Sequence, residues 1–521
     1  MTSITDHPAG FRGRFSTGDA ERLRFSGASG ILQILPAAVA VPQDPDDLQL
    51  LVRWAASNDI SLVPRGAGTG MPGGNLGSGV MIDLIPAFRG VGPVDEVMAE
   101  VHVEPGVTLS ELNRTCEAAG FHFPVDPSSG DRCTLGGMIA NNSAGAHSVK
   151  YGATRDWVQS LDVILADGSA GRLIRGEKPP AILRPILDRM DGMLRHDQHI
   201  IQAEWPDVRK NSSGYAVREY LASRDAIDLI IGSEGTLALI VGARLRLAPL
   251  PVGRGVALVE FSELPAIGEA VKELLPLEPA TCELLDSTFL ELVRSADSNL
   301  DYSLPPGLEG VLLVEVEGDS EADVRSQLDL VAKAMAPLAE RVALATDPDR
   351  QRAFWDLRHA ASPIIAERAG GRVSMQFIED GVVPIARLPD YIRLLRTLLD
   401  RYDLPAVIFG HAGDGNLHVN PLVDVSAPRW QDTLNALLTE VAQAVASLGG
   451  TLSGEHGDGR LRAPLLQIIW GSDMVERFRV VKESFDPQGI LNPGVIIPLP
   501  GQKPLESLGV YPKPPLLHSP H

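Results

Sequence analysis

Residues 64–84, "PRGAGTGMPGGNLGSGVMIDL", form a glycine-rich stretch directly after an apolar segment. Gly68, Gly70 and Gly73 have the G-x-G-x-x-G spacing of a dinucleotide-binding loop. That fingerprint requires a helix directly after the loop, because the pyrophosphate lies at the helix N-terminus. Here Pro72 interrupts the pattern and "VMIDL" predicts a strand, so we exclude a Rossmann-type nucleotide site. The loop can still bind a diphosphate through its backbone N–H groups, although the pattern alone is equally compatible with a surface loop.

Two further loops of the same character follow. Residues 126–152 read "DPSSGDRCTLGGMIANNSAGAHSVKYG", and residues 232–240 read "GSEGTLALI". Gly136 and Gly137 permit close backbone approach, whereas Asn141 and its neighbours supply short polar groups. Three such loops on a strand-rich scaffold predict one long, polar, phosphate-bearing ligand.

Charge and composition exclude several classes of protein. The 521 residues are 44% apolar and carry a net charge of −21, from 67 acidic and 46 basic residues. A chain of this length usually forms two or three domains. The negative charge disfavours nucleic acid and anionic lipid surfaces as partners. The three cysteines, Cys116, Cys133 and Cys282, are too few and too scattered for a disulfide framework or an iron–sulfur cluster.

Segments that would direct the chain to a membrane are not evident in the sequence. The N-terminal residues lack an apolar signal core. The longest apolar stretch, "ILQILPAAVAVP" at residues 31–42, is too short to span a bilayer and contains proline. We therefore expect a cytoplasmic protein without a transmembrane segment, for which a peripheral position at the inner membrane stays open.

Changes in sequence texture predict five segments. Residues 1–40 are predicted as an N-terminal arm, 41–251 as the glycine-loop domain and 252–405 as a smaller α+β domain. Residues 406–497 carry the densest motifs, and 498–521 are a proline-rich, loose tail.

Local patterns predict individual elements within these segments. "DPDDLQLLVRWAASND" predicts a helix with Asp44 or Asp46 as its N-cap. "IDLIIGSEGTLALIVGARLRL" predicts two strands around a Gly-Ser-Glu-Gly turn. In the smaller domain, strand patterns such as "GVALVEFS" and "GVLLVEVEG" alternate with long helical ones.

The three loops resemble the FAD-binding domain of the vanillyl-alcohol-oxidase type. The later motifs "GHAGDGNLHVN", "SGEHGDGR" and "FDPQGILNPG" resemble the C-terminal half of FAD-linked D-2-hydroxyacid dehydrogenases, the D-lactate, glycolate and D-2-hydroxyglutarate enzymes. The resemblance covers residues 40–497. It implies an α+β fold with a vanillyl-alcohol-oxidase/PCMH-type FAD-binding domain and an α+β cap (substrate) domain that contains an antiparallel sheet. The residues of these motifs are most similar to those of large bacterial members that have an additional iron–sulfur domain. This chain lacks the cysteines for such a domain.

The resemblance also implies non-covalent FAD and names its contacts. The pyrophosphate is expected at the first two loops, the adenine side at the third, and Asn492 is expected to reach back toward the flavin. The implied cofactor residues are Arg65, Gly66, Ala67, Gly68, Thr69, Gly70, Pro127, Gly136, Gly137, Asn141, Ser143, Gly145, Gly235, Ile240 and Asn492.

A histidine pair and a glutamate form a candidate metal site. His411 and His418 lie seven residues apart, and bends at Gly413 and Gly415 could aim both rings at one point. With Glu455 they form a set suited to zinc, manganese or another divalent ion. Two histidines at this spacing can also be incidental, but the resemblance implies a metal because all three match the family's ligands.

His456, next to Glu455, is the candidate catalytic base. In an extended segment adjacent side chains face opposite sides, so we expect Glu455 to face the metal and His456 the substrate hydroxyl and the flavin. Imidazole is suited to accept a hydroxyl proton near neutral pH.

Three residues match substrate-binding positions of the family: Arg358, Ser362 and Asn420. Arginine suits a carboxylate because its planar fork binds two oxygens. Relatives specific for D-2-hydroxyglutarate have a lysine near the position of Ile378, so a second carboxylate would lack its cation here. Whether Arg372 substitutes for that lysine is left open by the sequence.

These observations predict FAD-dependent oxidation of a D-2-hydroxy acid to the 2-keto acid. Electrons would pass to a separate acceptor: a quinone, a cytochrome, an electron-transfer flavoprotein or an iron–sulfur protein. A homodimer is compatible with this prediction, and a nucleic-acid partner is not expected. One alternative is a non-catalytic flavin subunit of a glycolate-oxidase-like complex, which would be expected to lose the histidine and glutamate set. Another is a metal-dependent hydrolase, which leaves the glycine loops unexplained.

Overall fold

The computed structural model describes residue 4 and residues 7–295, 304–359 and 371–509. Its strands, numbered in chain order, are β1 (Arg14–Ser16), β2 (Ala38–Val41), β3 (Leu62–Arg65), β4 (Val80–Asp83), β5 (Glu100–Val103), β6 (Phe121–His122), β7 (Val158–Ile164), β8 (Ala170–Ile174), β9 (Leu239–Arg246), β10 (Ala248–Pro249), β11 (Gly253–Phe261), β12 (Thr281–Asp286), β13 (Gly310–Gly318), β14 (Arg341–Ala345), β15 (Val373–Ser374), β16 (Gly381–Val382), β17 (Ala406–His411) and β18 (Asn416–Val423).

The α-helices are numbered in the same way. They are α1 (Asp19–Arg24), α2 (Pro45–Ser57), α3 (Leu109–Glu117), α4 (Leu135–Asn141), α5 (Ser148–Tyr151), α6 (Arg184–His196), α7 (Gln198–Glu204), α8 (Val217–Ser223), α9 (Ile227–Ile230), α10 (Leu264–Leu274), α11 (Ser287–Ser295), α12 (Glu321–Met335), α13 (Pro348–His359), α14 (Leu388–Arg401), α15 (Trp430–Ser447), α16 (Gly459–Arg462) and α17 (Leu466–Phe485). None of the helices in the described ranges has both the length and the apolar character needed to cross a lipid bilayer.

The first domain is built on two four-stranded sheets. One has the order β1-β2-β4-β3, with β2 and β3 parallel to β4 and β1 antiparallel to β2. The other is antiparallel, with the order β5-β9-β7-β8. The predicted helix after Asp44 is α2, which lies between β2 and β3 in the sequence. Its N-cap Asp44 accepts a hydrogen bond from the backbone N–H of Asp47 at 3.0 Å. Its apolar face packs on the first sheet.

The second domain, the cap, is one antiparallel sheet with helices on both faces. Its order is β14-β11-β13-β12-β17-β18-β15, and β16 pairs with β18. Along β11, Ala257 and Val259 enter the larger cap core, while Val256 and Leu258 enter the smaller one. This alternation buries both faces and explains why the strand reads as a nearly continuous apolar run. The predicted α+β cap with an antiparallel sheet is therefore present.

The structure differs from the predicted organisation in the N-terminal arm and in the segment after residue 405. Residues 14–16, predicted as part of an arm, pair with β2 inside the first sheet. Strands β17 and β18, predicted to open a separate C-terminal segment, complete the cap sheet because β17 pairs with β12. The chain then returns through α17, whose Trp470 and Phe478 pack in the core of the first domain.

Two local predictions also differ from the structure. Residues 227–230, predicted as strand, form the short helix α9. The prediction was wrong because periodicity cannot distinguish a helix from a strand in a short, fully buried apolar run. Part of the predicted loose tail is packed: Leu505 is buried, and the backbone N–H of Gln33 donates to the Ser507 carbonyl at 2.8 Å. Residues 510–521 of that tail lie outside the described ranges.

Candidate active site

A cavity of about 800 Å³ lies between the glycine loops of the first domain and the sheet of the cap. All predicted cofactor residues except Asn492 line it: Arg65, Gly66, Ala67, Gly68, Thr69, Gly70, Pro127, Gly136, Gly137, Asn141, Ser143, Gly145, Gly235 and Ile240. The predicted catalytic, metal and substrate residues His456, His411, His418, Glu455, Arg358 and Asn420 line the same cavity. The structure thus brings both predicted sets together, and Ser362 lies outside the described residues.

The loop after β3 presents its backbone to this cavity. None of the N–H groups of residues 66–70 donates a hydrogen bond to a described residue, and all five residues line the cavity. Gly68 has φ +73°, and a β-carbon there would meet the Arg65 guanidinium. A run of free N–H groups on glycine-rich backbone forms a cradle for an anion, which fits the diphosphate of FAD.

Arg65 and Asn492 organise the loops through hydrogen bonds to carbonyl groups. The Arg65 guanidinium donates to the carbonyl of Gly27 at 2.8 Å. Burial lowers the pKa of Arg65 to about 10, although Asp83 opposes the shift. The Asn492 amide donates to the carbonyls of Gly74 at 2.7 Å and Glu234 at 2.8 Å. Asn492 therefore ties the first loop to the third from behind the cavity wall.

The three predicted metal ligands converge on one point. His411 closes β17 and His418 lies on β18, so the hairpin between them places the two rings side by side. The His411 and His418 Nε2 atoms are 3.2 Å apart, and Glu455 Oε1 lies 3.3 Å and 3.5 Å from them. All three side chains are buried.

The other ring nitrogens fix the tautomer of both histidines. His411 Nδ1 lies 2.6 Å from Glu283 Oε1, and His418 Nδ1 lies 2.6 Å from the Glu379 carbonyl oxygen. Because these oxygens accept hydrogen bonds, Nδ1 of each ring carries a proton, and each Nε2 is directed at Glu455 and is the nitrogen that a metal ion would bind. Three converging electron-pair donors with acceptors behind the rings fit a divalent metal ion.

The surrounding charges support that arrangement. Burial alone raises the pKa of Glu283, but His411 and Arg358 outweigh it and lower this pKa to about 2. Burial alone lowers the pKa of His411, but Glu283 chiefly raises it to about 9. Against burial, Lys210 and His411 hold the pKa of Glu455 well below its ordinary value. Glu283 and Glu455 are thus ionised beside the imidazoles.

His456 lies next to this cluster with its own buried acid partner. Its Nδ1 is 2.6 Å from Glu379 Oε2, and Arg462 donates to the other oxygen of Glu379. Burial alone lowers the pKa of His456, but Glu379 and Asp380 outweigh it and raise this pKa to about 9. His456 Nε2 lies 3.6 Å from Glu455 Oε1.

The predicted opposite orientation of Glu455 and His456 is wrong. Both side chains line the cavity. The reason is that residues 452–456 bend instead of forming a strand, and their backbone folds around Asp380. The Asp380 carboxylate accepts the N–H groups of Glu455 at 3.1 Å and His456 at 2.9 Å.

Arg358 and Asn420 line the cap side of the cavity. The Arg358 guanidinium lies over the Phe409 ring at 4.5 Å, and its Nε donates to Glu283 at 3.0 Å. Ile378, the position compared with a family lysine, packs in the cap core. Arg372 is exposed and does not line the cavity.

Sequence reasoning missed Glu283, Glu379, Asp380 and Lys210. The signal for the first three was an acid inside an otherwise apolar stretch, "TCELLD" or "MQFIEDGVV", where a buried charge needs a partner. Lys210 gave no such signal, because "DVRKNSSG" reads as an ordinary polar loop.

An ion-pair network joins the two domains at the edge of the cavity. His147, which belongs to the second glycine loop, lies between Asp126 at 2.5 Å and Glu315 of β13 at 3.0 Å. Lys150 donates to Glu317, also on β13, at 2.8 Å. Burial opposes the shift, but Asp126 and Glu315 raise the pKa of His147 to about 10. The loop that lines the cofactor cavity is thereby tied to the cap.

Comparison with known proteins agrees with a flavin-dependent oxidoreductase. The FAD binding domain family matches residues 36–173, and the family of FAD linked oxidases, C-terminal domain, matches residues 250–496. Among solved structures, p-cresol methylhydroxylase with substrate bound is similar with a TM-score of 0.68 at 16% identity, over 93% of this chain and 94% of that one. The predicted PCMH-type fold is thus confirmed, and the chain carries an FAD-binding domain and an FAD-linked oxidase C-terminal domain.

Curated relatives are more similar in sequence. D-2-hydroxyglutarate dehydrogenase of Pantoea ananatis is 30% identical over 94% of this chain, which spans 50% of that relative. Glycolate oxidase subunit GlcD of Bacillus subtilis is 29% identical over 92% of this chain and 93% of its own length. The chain therefore spans about half the length of the first relative and most of the second.

Proposed function

We propose that this protein oxidises a D-2-hydroxy acid, such as D-lactate or D-2-hydroxyglutarate, to the 2-keto acid with FAD, and passes the electrons to a separate acceptor. The observation that carries the proposal is the position of His456, Arg358 and the three-ligand cluster in the same cavity as the glycine loops. The names of the two curated relatives agree with a hydroxy-acid substrate.

The chain's own residues divide the work. Arg358 offers its guanidinium to the substrate carboxylate, and Asn420 lines the same cavity. In its neutral form, which its raised pKa of about 9 favours only at alkaline pH, His456 Nε2 accepts the proton of the C2 hydroxyl, and Glu379, behind the ring, stabilises the imidazolium that results. Bound FAD would take the hydride from C2. The oxidation then removes one hydride and one proton from the substrate and leaves the 2-keto acid.

His411, His418 and Glu455 would hold a divalent metal, zinc or manganese. Such an ion would supply Lewis acidity that makes the substrate hydroxyl more acidic. A hydrolase with the same ligands does not account for the FAD-binding domain. A non-catalytic subunit does not account for the buried acids Glu283 and Glu379, whose carboxylates orient His411 and His456.

The test is product formation by the purified, FAD-loaded protein with an artificial dye as electron acceptor. A panel should contain D- and L-lactate, D- and L-2-hydroxyglutarate and larger D-2-hydroxy acids. We expect equimolar 2-keto acid and reduced dye with at least one D-acid, and much slower turnover of its L-enantiomer. Absence of keto acid with every member would refute the proposal.

A further inference from the structure

Lys210 lies beside the three-ligand cluster on the irregular segment between α7 and α8. Its side chain is 3% exposed, and Nζ lies 2.6 Å from Glu455 Oε2. This segment is fixed against the irregular segment that carries Glu455, because the N–H of Ser212 donates to the Ser453 carbonyl at 2.8 Å. The N–H of Gly214 donates to Asp458 at 2.7 Å. Lys210 is therefore held in place by the backbone on both sides of Glu455.

This contact divides the roles of the two Glu455 oxygens. Oε1 faces the ring nitrogens of His411 and His418, at 3.3 Å and 3.5 Å, whereas Oε2 is taken by the Lys210 ammonium. A carboxylate held in this way offers one oxygen to a metal ion instead of two. The second cation near the cluster, Arg358, is instead paired with Glu283 at 3.0 Å.

We propose that Lys210 is a positioning residue that restricts Glu455 to one ligand oxygen and adds a fixed positive charge, weakening metal binding while strengthening the binding of a doubly charged substrate. The inference rests on the proposed function. A divalent ion beside one ligand carboxylate leaves one positive charge, and Lys210 adds another. Together they match a 2-hydroxy acid that is ionised at both its carboxyl and its hydroxyl group.

The signature of this role is a pair of shifts in opposite directions. The probe metal is zinc, titrated into FAD-loaded protein in competition with a chelator of known affinity. The probe anion is oxalate, a chelating dianion, followed by its effect on the flavin spectrum of the zinc-loaded protein. In Lys210→Met we expect zinc to bind about tenfold or more tightly and oxalate about tenfold more weakly, since a charge a few ångströms away is weakly screened inside the protein.

Two further variants serve as controls for the effect of the Lys210 charge. Lys210→Gln removes the charge but keeps a polar side chain beside Glu455, so it should shift both affinities in the same directions with less damage to the fold. Arg209→Met removes the neighbouring cation, which is 46% exposed and lies 3.6 Å from Asp414, and should change neither affinity. FAD content and Tm report whether each variant is folded. A merely structural defect would weaken zinc binding, which is the opposite of the expected shift.

The outcomes separate this inference from the function on which it rests. If the wild-type protein binds zinc and both Lys210 variants bind it equally or more weakly, only the role of Lys210 is refuted. If the wild-type protein binds no divalent ion, the proposed metal site fails as well. Loss of folding in both variants would also overturn the inference, because Lys210 would then serve the fold itself.

Discussion

Glu379 accepts a hydrogen bond from His456, with 2.6 Å between Oε2 and Nδ1, and its backbone carbonyl accepts one from His418 Nδ1 at the same distance. One residue therefore orients both the candidate base and a candidate metal ligand. Its neighbour Asp380 holds the backbone N–H groups of Glu455 and His456. The geometry of the site depends on these two acids, which lie directly before β16.

Glu379→Gln should lower kcat about 100-fold while FAD content and KM change little. The reason is that the variant loses the carboxylate that fixes the His456 tautomer and stabilises its protonated form. Steady-state kinetics and the flavin-to-protein ratio provide the measurement. Glu440→Gln, which removes a carboxylate from a pair with Arg401 away from the cavity, is the matched control. Wild-type kcat in a fully flavinated Glu379→Gln protein would contradict this role.

Arg358→Ala should raise KM for the hydroxy acid about 10- to 100-fold, because a hydrogen bond to a charged group contributes about 1.5–3 kcal/mol. Arg372→Ala is the control, since Arg372 is an exposed cation outside the cavity. An equal KM in both variants would assign the substrate carboxylate to another group.

Removal of divalent ions with a chelator should abolish most turnover, and added zinc or manganese should restore it. His418→Ala should lower the bound-metal stoichiometry below that of wild type, because it removes one of three converging donors. His199→Ala, at an exposed histidine, should retain it. Full activity in a protein shown by elemental analysis to contain no metal would refute the metal role.

His147→Asn should destabilise the protein in a pH-dependent manner. The folded-state pKa of His147 is raised to about 10, from an ordinary value of 6.5. A raised pKa stabilises the folded protein fully below about pH 6.5, and the contribution is lost as pH rises through about 10. The Tm difference between wild type and variant should thus be largest near pH 6 and shrink toward pH 10. The contribution is on the order of 2–4 kcal/mol.

His102→Asn is the control for this pH series, because His102 is 42% exposed and its acid partner Asp162 lies at 3.5 Å. It should change Tm little at any pH. A Tm difference for His147→Asn that stays constant from pH 6 to 10 would show that the ring stabilises the domain contact through packing alone.

Much of the fold follows from local sequence. The N-cap Asp44 before α2 is visible as a residue pattern, and it is present. The helix α9 was read as strand because a short buried apolar run has no decisive period. The path of the chain after residue 405 was also missed, because the pairing of β17 with β12 joins residues more than 100 positions apart.

Part of the candidate site could also be predicted from the sequence, and part could not. His411, His418 and His456 could be found because the motifs that contain them resemble those of FAD-linked D-2-hydroxyacid dehydrogenases. Their partners could not be assigned, since Glu283, Glu379 and Lys210 come from three separate segments that meet only in the fold. The prediction that Glu455 and His456 face apart failed because it assumed an extended segment, whereas Asp380 bends the backbone there.

The most direct test of the account is the visible spectrum of the FAD-loaded protein mixed anaerobically with D-2-hydroxy acids. The account predicts that at least one D-acid bleaches the flavin band within a single turnover. It also predicts that the L-enantiomer does so far more slowly, and that His456→Ala retains the flavin but loses most of the bleaching rate. A flavin that stays oxidised with every D-2-hydroxy acid, yet is bleached by a donor without a 2-hydroxy-acid group, would contradict it.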